Sequence, residues 1–181
     1  YYSVRNNFSA FYVIPNVSAY LTGRDASSVF NISYIQPTEA DFMQPKDALP
    51  IYTGIYTTGS LNFVGKGTVN VDVQSYITEG GNNTGDGDGC ISTVGIYAGG
   101  AVYFNTSALA DASNLNVNVN AKLAPGIAND GYVCGIQAGA FLNDASAYSM
   151  CFGGKGQMNV HTDADEYKDD VQIWNIDARN Q

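Results

Sequence analysis

Positive charge is scarce in this chain. Its 181 residues hold 8 Lys and Arg against 17 Asp and Glu, with one His and one Trp. At a formal net charge of −9 no basic patch can be assembled, which argues against nucleic acid or an anionic membrane as partner. A Ser-His-Asp or Cys-His relay would have to use His161, and the chain has no G-x-S-x-G elbow. His161 ends the alternating "QMNVHT" and reads as a solvated strand-end residue. There is no P-loop and no G-x-G-x-x-G opening a helix, and "GGKG" (153–156) reads as a turn between strands. The sequence therefore predicts no enzyme and no cofactor. No stretch approaches the roughly 20 apolar residues of a membrane span. The sequence starts at Tyr1 without Met and without a basic n-region followed by an apolar h-region; if the chain is secreted, this is the processed form.

Cysteine is sparse too: Cys90, Cys134 and Cys151 lack the close pairs of a zinc site. The intervening "GIQAGAFLNDASAYSM" reads as a hairpin that would bring Cys134 to Cys151, making them the candidate disulfide. The alternative is three small buried apolar residues. Charged residues make up 14% of the chain against roughly 25% in an average domain, so neutral polar groups must cover the surface.

What the chain does have is strand pattern. "TVNVDVQSYIT" (68–78) and "LNVNVNAKL" (115–123) alternate, with Val117, Val119 and Ala121 opposite Asn116, Asn118 and Asn120. Further strands are expected at 28–35, 51–57, 91–97, 101–105, 131–141, 147–152, 157–161 and 170–177. Gly, Asn and Asp clusters such as "EGGNNTGDGDG" (79–89) separate them. Short helical turns are expected only at 38–43 and 106–112. With no solenoid-length repeat recognised, the expected fold is an all-β antiparallel sandwich, jelly-roll or Greek-key. A head domain at 16–181 would follow an N-terminal strand at 1–15.

Five Asn-x-Ser/Thr sequons, at Asn7, Asn16, Asn31, Asn82 and Asn105, fall on the wetter strand face or in a loop, as N-linked glycans require. Carboxylates cluster at Asp86 and Asp88 and again at Asp163 and Asp165. Both clusters read as loops weakly suited to calcium, without EF-hand spacing, and no metal is expected.

The first stretch, "YYSVRNNFSAFYVIPNVSAYLTG", changes inward parity at Pro15. A one-residue slip exchanges the two faces of a strand, so 1–14 and 16–22 read as separate strands. The apolar face of the first comprises Val4, Phe8, Ala10, Tyr12 and Ile14. Burying five or six such side chains yields about 8–15 kcal/mol, while ordering a dozen residues costs roughly 12–24 kcal/mol. The strand therefore needs backbone pairing, supplied by its own domain or by another copy.

An apolar N-terminal strand, a β-sandwich head and scattered sequons together resemble archaeal thread-type surface filaments. The resemblance lies in overall pattern rather than in a diagnostic motif. It implies donor-strand complementation, with Val4, Phe8, Ala10, Tyr12 and Ile14 as plug residues in a neighbouring subunit. It also implies an extracellular, cell-surface homopolymer of identical subunits with an adhesion or biofilm role. The expectation from another class is a secreted carbohydrate-binding β-sandwich module, its thirteen tyrosines offering stacking faces for sugars.

Overall fold

The computed structural model describes residues 7–13, 18–35, 51–77, 91–105, 112–123, 131–139, 148–165 and 172–178. They form twelve strands. These are β1 (Asn7–Tyr12), β2 (Ala19–Gly23), β3 (Val29–Ile35), β4 (Ile51–Thr57), β5 (Leu61–Ile77) and β6 (Ile91–Ala98). The others are β7 (Val102–Phe104), β8 (Ala112–Leu123), β9 (Gly131–Ala138), β10 (Met150–Phe152), β11 (Met158–Asp165) and β12 (Gln172–Ala178).

Every pairing among them is parallel. One sheet runs β1-β4-β6-β9-β12; the other runs β10-β7-β5-β8-β11, with β2 and β3 also paired to β5. The all-β expectation holds, but the antiparallel sandwich is overturned. Alternation shows which face of a strand is dry and is silent on the direction of its neighbours. The chain curls, and each turn lays its strands on those of the turn before.

A turn has three segments. The first lies in the β1-β4-β6-β9-β12 sheet. The second and third are β2 then β3, the two halves of β5, β7 then β8, and β10 then β11. In β5 the two halves meet at Gly65-Lys66-Gly67, where both glycines have positive φ (91° and 109°). That left-handed conformation, open to Gly at little cost, bends the strand round a corner without interrupting it. Residues 61–65 pair with β2, and 68–74 pair with β3.

Between the two sheets lies one core. Rows of equivalent side chains stack turn on turn: Ile32, Val71, Val117 and Val160 in one, Phe11, Ile55, Ile96, Ile136 and Ile176 in another. Full burial of each such side chain is worth about 1.5–3 kcal/mol. Inside this core Ser75 and Thr93 join their hydroxyls at 2.7 Å, so neither buried polar group is left unsatisfied.

In the first sheet, Thr53, Val94 and Cys134 face away from that core, and Ile55, Ile96 and Ile136 face into it. Between them stand Gly54, Gly95 and Gly135. A Cβ on Gly95 would strike Val117 and come within 2.6 Å of the Gly135 carbonyl oxygen. Tyr52 and Thr93, before the glycines, lie in the row of the core residue Val133, so inward parity changes at the glycine in each turn. This is the behaviour of a β-bulge repeated in register.

The same break governs β1, which pairs with β4 of its own chain. Phe11 packs against the core, while Ala10 and Tyr12 are exposed. The expected inward face of even-numbered residues is therefore corrected at these positions; Pro15, where the two strands were expected to divide, lies outside the described residues. Phe8 is in register with Tyr52; Val4 and Ile14 lie outside the described residues, as do 38–43, 79–89 and 106–111. Ala112, expected to end a helical turn, opens β8.

Candidate functional site

The outer surface carries two ladders along the coil. On the third segment Asn31, Asn70, Asn116 and Asn159 are in register. Asn159 Nδ2 donates to Asn116 Oδ1 at 2.9 Å, Asn116 Nδ2 to Asn70 Oδ1 at 2.8 Å, and Asn70 Nδ2 to Asn31 Oδ1 at 2.7 Å. All three amides point the same way. Asn118 Nδ2 adds a parallel bond to Asp72 Oδ1 at 3.0 Å, in the row that ends at the exposed His161. On the first segment Tyr12, Tyr56 and Tyr97 stack, with centroids 5.5 and 4.9 Å apart and rings within 7° of parallel.

Of the sequon asparagines, Asn31 is exposed and uses its oxygen in the ladder; among the described residues its nitrogen, where a glycan would attach, has no partner. Asn105 is the opposite case. It has positive φ (55°), is 1% exposed, donates Nδ2 to the Ser113 carbonyl at 3.0 Å and accepts the Ser113 N–H at 3.2 Å. Its side chain thus mimics a backbone pair and closes the corner between β7 and β8. A glycan on Asn105 is incompatible with this arrangement, so that expectation is corrected. Asn7 lies on β1, its side chain outside the description; Asn16 and Asn82 lie outside the described residues.

Cys134 and Cys151 are free thiols. The hairpin expected between them does not form, because β9 and β10 belong to different sheets. Cys134 is buried beside Val94, Tyr97 and Tyr132, and burial pushes its thiol up to about 11. Burial, with the neighbouring Cys134 and the bond from Tyr132 Oη to Asp177 Oδ2 (2.5 Å), raises the Tyr132 phenol as well. Asp163 and Asp165 lie on β11 rather than in a loop, opposite Asn120 and Lys122. Asp86 and Asp88 lie outside the described residues. Among the described residues no three His, Cys, Asp or Glu side chains gather as metal ligands.

The feature that the sequence did not disclose is a cleft at the corner of the first turn, with a volume of about 370 Å³. Tyr20, Arg24, Asp25, Phe30, Lys66 and Thr68 are among its lining residues. Gly23 forms part of the lining because its Cα lies against the Lys66 carbonyl, where a Cβ has no room. The rim is held by Asp25, whose Oδ1 accepts the Ser27 N–H at 2.9 Å and the hydroxyls of Ser27 (2.6 Å) and Ser28 (3.3 Å). Those bonds, the Ser27 hydroxyl foremost, hold the Asp25 carboxyl below its ordinary range. The bend of β5 carries Lys66 between its two positive-φ glycines to this corner. Lys66 is distant in sequence from Tyr20 and Arg24 and shares no motif with them; the coil brings it to their corner.

No helix among the described residues is long and apolar enough to cross a membrane. No protein-family model, curated protein or solved structure matches this chain.

Proposed function

We propose that the chain is a structural subunit of an extracellular glycosylated filament, assembling head to tail with identical copies in an adhesion or biofilm role. The joint places β12 of one copy beside β1 of the next, in parallel register. The observation that carries this is the state of the two outer strands of the first sheet. Tyr12 on β1 is 52% exposed, and Ile173 and Trp174 on β12 are 48% and 49% exposed. Neither strand has a described neighbour on its outer edge. Such an edge is a template for adding a strand from another chain, and a head-to-tail contact of this kind propagates openly. The exposed Asn31, whose nitrogen has no partner among the described residues, supports a glycan on the flank.

The test is negative-stain imaging of the purified protein beside an Ile173→Lys, Trp174→Lys variant. Fibres are expected from the unaltered chain. The variant should give monomers with an unchanged far-ultraviolet spectrum, because lysine on an edge strand opposes pairing. Unaltered protein that stays monomeric at every concentration, or fibres from the variant, would refute the joint.

A further inference from the structure

We propose that the first-turn corner cleft binds an acidic sugar, a pyranose bearing a carboxylate. This goes beyond the filament reading and stands whether or not the coil assembles. The charge distribution is the first argument. Only 8 of 181 residues are Lys or Arg in a chain of net charge −9, yet Arg24 and Lys66 line this one cleft. Their counterpart in the lining, Asp25, already spends one carboxylate oxygen on Ser27 and Ser28. The cleft therefore presents two cations against one carboxylate whose bonds hold the rim.

The second argument is the chemistry between the cations. Tyr20 and Phe30 are 66% and 43% exposed and offer aromatic surface for the C–H face of a sugar ring. Thr22 and Thr68 add hydroxyls suited to ring hydroxyls. A bare anion would use the cations and leave the aromatics idle. A neutral sugar would use the aromatics and leave the cations unpaired. An acidic pyranose uses both. The volume of about 370 Å³ falls in the range of small-molecule sites, about 300–1,000 Å³.

The third argument is preorganisation. Loop 24–28 is tied to β5 by the Thr68 N–H to the Ser28 carbonyl at 2.8 Å and closed on itself by the Asp25 bonds. A rim already ordered loses little freedom when a ligand enters. In the proposed filament the cleft stays open. The first sheet has five strands where the third segment has four, so a copy resting on β12 leaves a space over this corner.

The experiment titrates the full chain with a hyaluronan tetrasaccharide, which carries glucuronic acid, by calorimetry. Chitotetraose and sodium sulfate serve as the neutral-sugar and bare-anion comparisons. The acidic tetrasaccharide is expected to bind, more weakly as salt is added. Arg24→Gln and Lys66→Gln should each weaken it about tenfold, the loss of one charge-assisted bond. Lys122→Gln, on the exposed face of β8, should leave it unchanged. Circular dichroism of each variant separates lost binding from lost fold, and Arg24, in the exposed turn, is the safer of the two. No heat at millimolar tetrasaccharide, equal binding of chitotetraose or of sulfate, or undiminished affinity in a folded Arg24→Gln variant would each overturn the proposal.

Discussion

Cys134 and Tyr132 lie two residues apart on the same outward face of β9, and their chemistry follows from that position. Burial raises both groups, and Tyr34, half-buried at the first turn, rises to about 12 from 10.0. A raised pKa means that the folded state holds its proton more tightly than the unfolded chain does. The resulting stability is complete below the unfolded value and is lost as pH rises through the folded one. For Cys134 that window runs from pH 9.0 to about 11. The melting temperature is expected to fall across it, and a Cys134→Ala variant should show a shallower fall. Identical profiles for the two proteins in a pH series of melting curves would contradict the assignment. Little of this was legible in the sequence, because outward-facing residues of an alternating strand read as wet. Asn105 shows the same limit: its sequon promises exposure, but its left-handed backbone turns the amide into a corner clasp.

At the scale of single elements, strand positions were legible and their partners were not. The expected strands at 28–35, 51–57, 91–97 and 115–123 lie within a few residues of β3, β4, β6 and β8. Period-two alternation is a local property of a strand, whereas direction and partner come from closure of the coil. The parity of β1 was misread because the repeated bulge is invisible in one strand alone. A signal was present in the recurrence of Gly-Ile at 54–55, 95–96 and 135–136. Gly95→Ala is expected to cost about 1–3 kcal/mol, the usual range for overpacking, since the added methyl meets Val117 and the Gly135 carbonyl together. Urea denaturation measures it. A midpoint equal to that of the unaltered chain would show that the glycine row is not needed for space.

Across the molecule, β4, β6, β9 and β12 begin at Ile51, Ile91, Gly131 and Gln172, spacings of 40, 40 and 41 residues. This repeat escaped the sequence because positions recur while most residue types do not. Leu115 and Val119 of β8, for instance, follow Val69 and Val73 of β5 in their rows and sit opposite Met158 and Thr162 on β11. Each turn touches chiefly the turns beside it, so stability is approximately a sum over neighbours. The candidate cleft is a product of that stacking, since it needs the turn after β2 and the bend of β5 together.

Parallel strands laid across the coil axis also determine how the molecule answers force. A pull along the axis opens hydrogen bonds row by row, as a zip opens, instead of shearing a whole strand at once. Tethered outside β1 and β12, the chain is expected to yield in successive steps rather than one rupture. Each turn of 40 residues should release roughly 130–145 Å of chain at 3.3–3.6 Å per residue. Optical-tweezers traces would show these steps, and a single event spanning the whole length would refute them. A coil of this kind pays out slack a turn at a time and stays attached while the remaining turns hold.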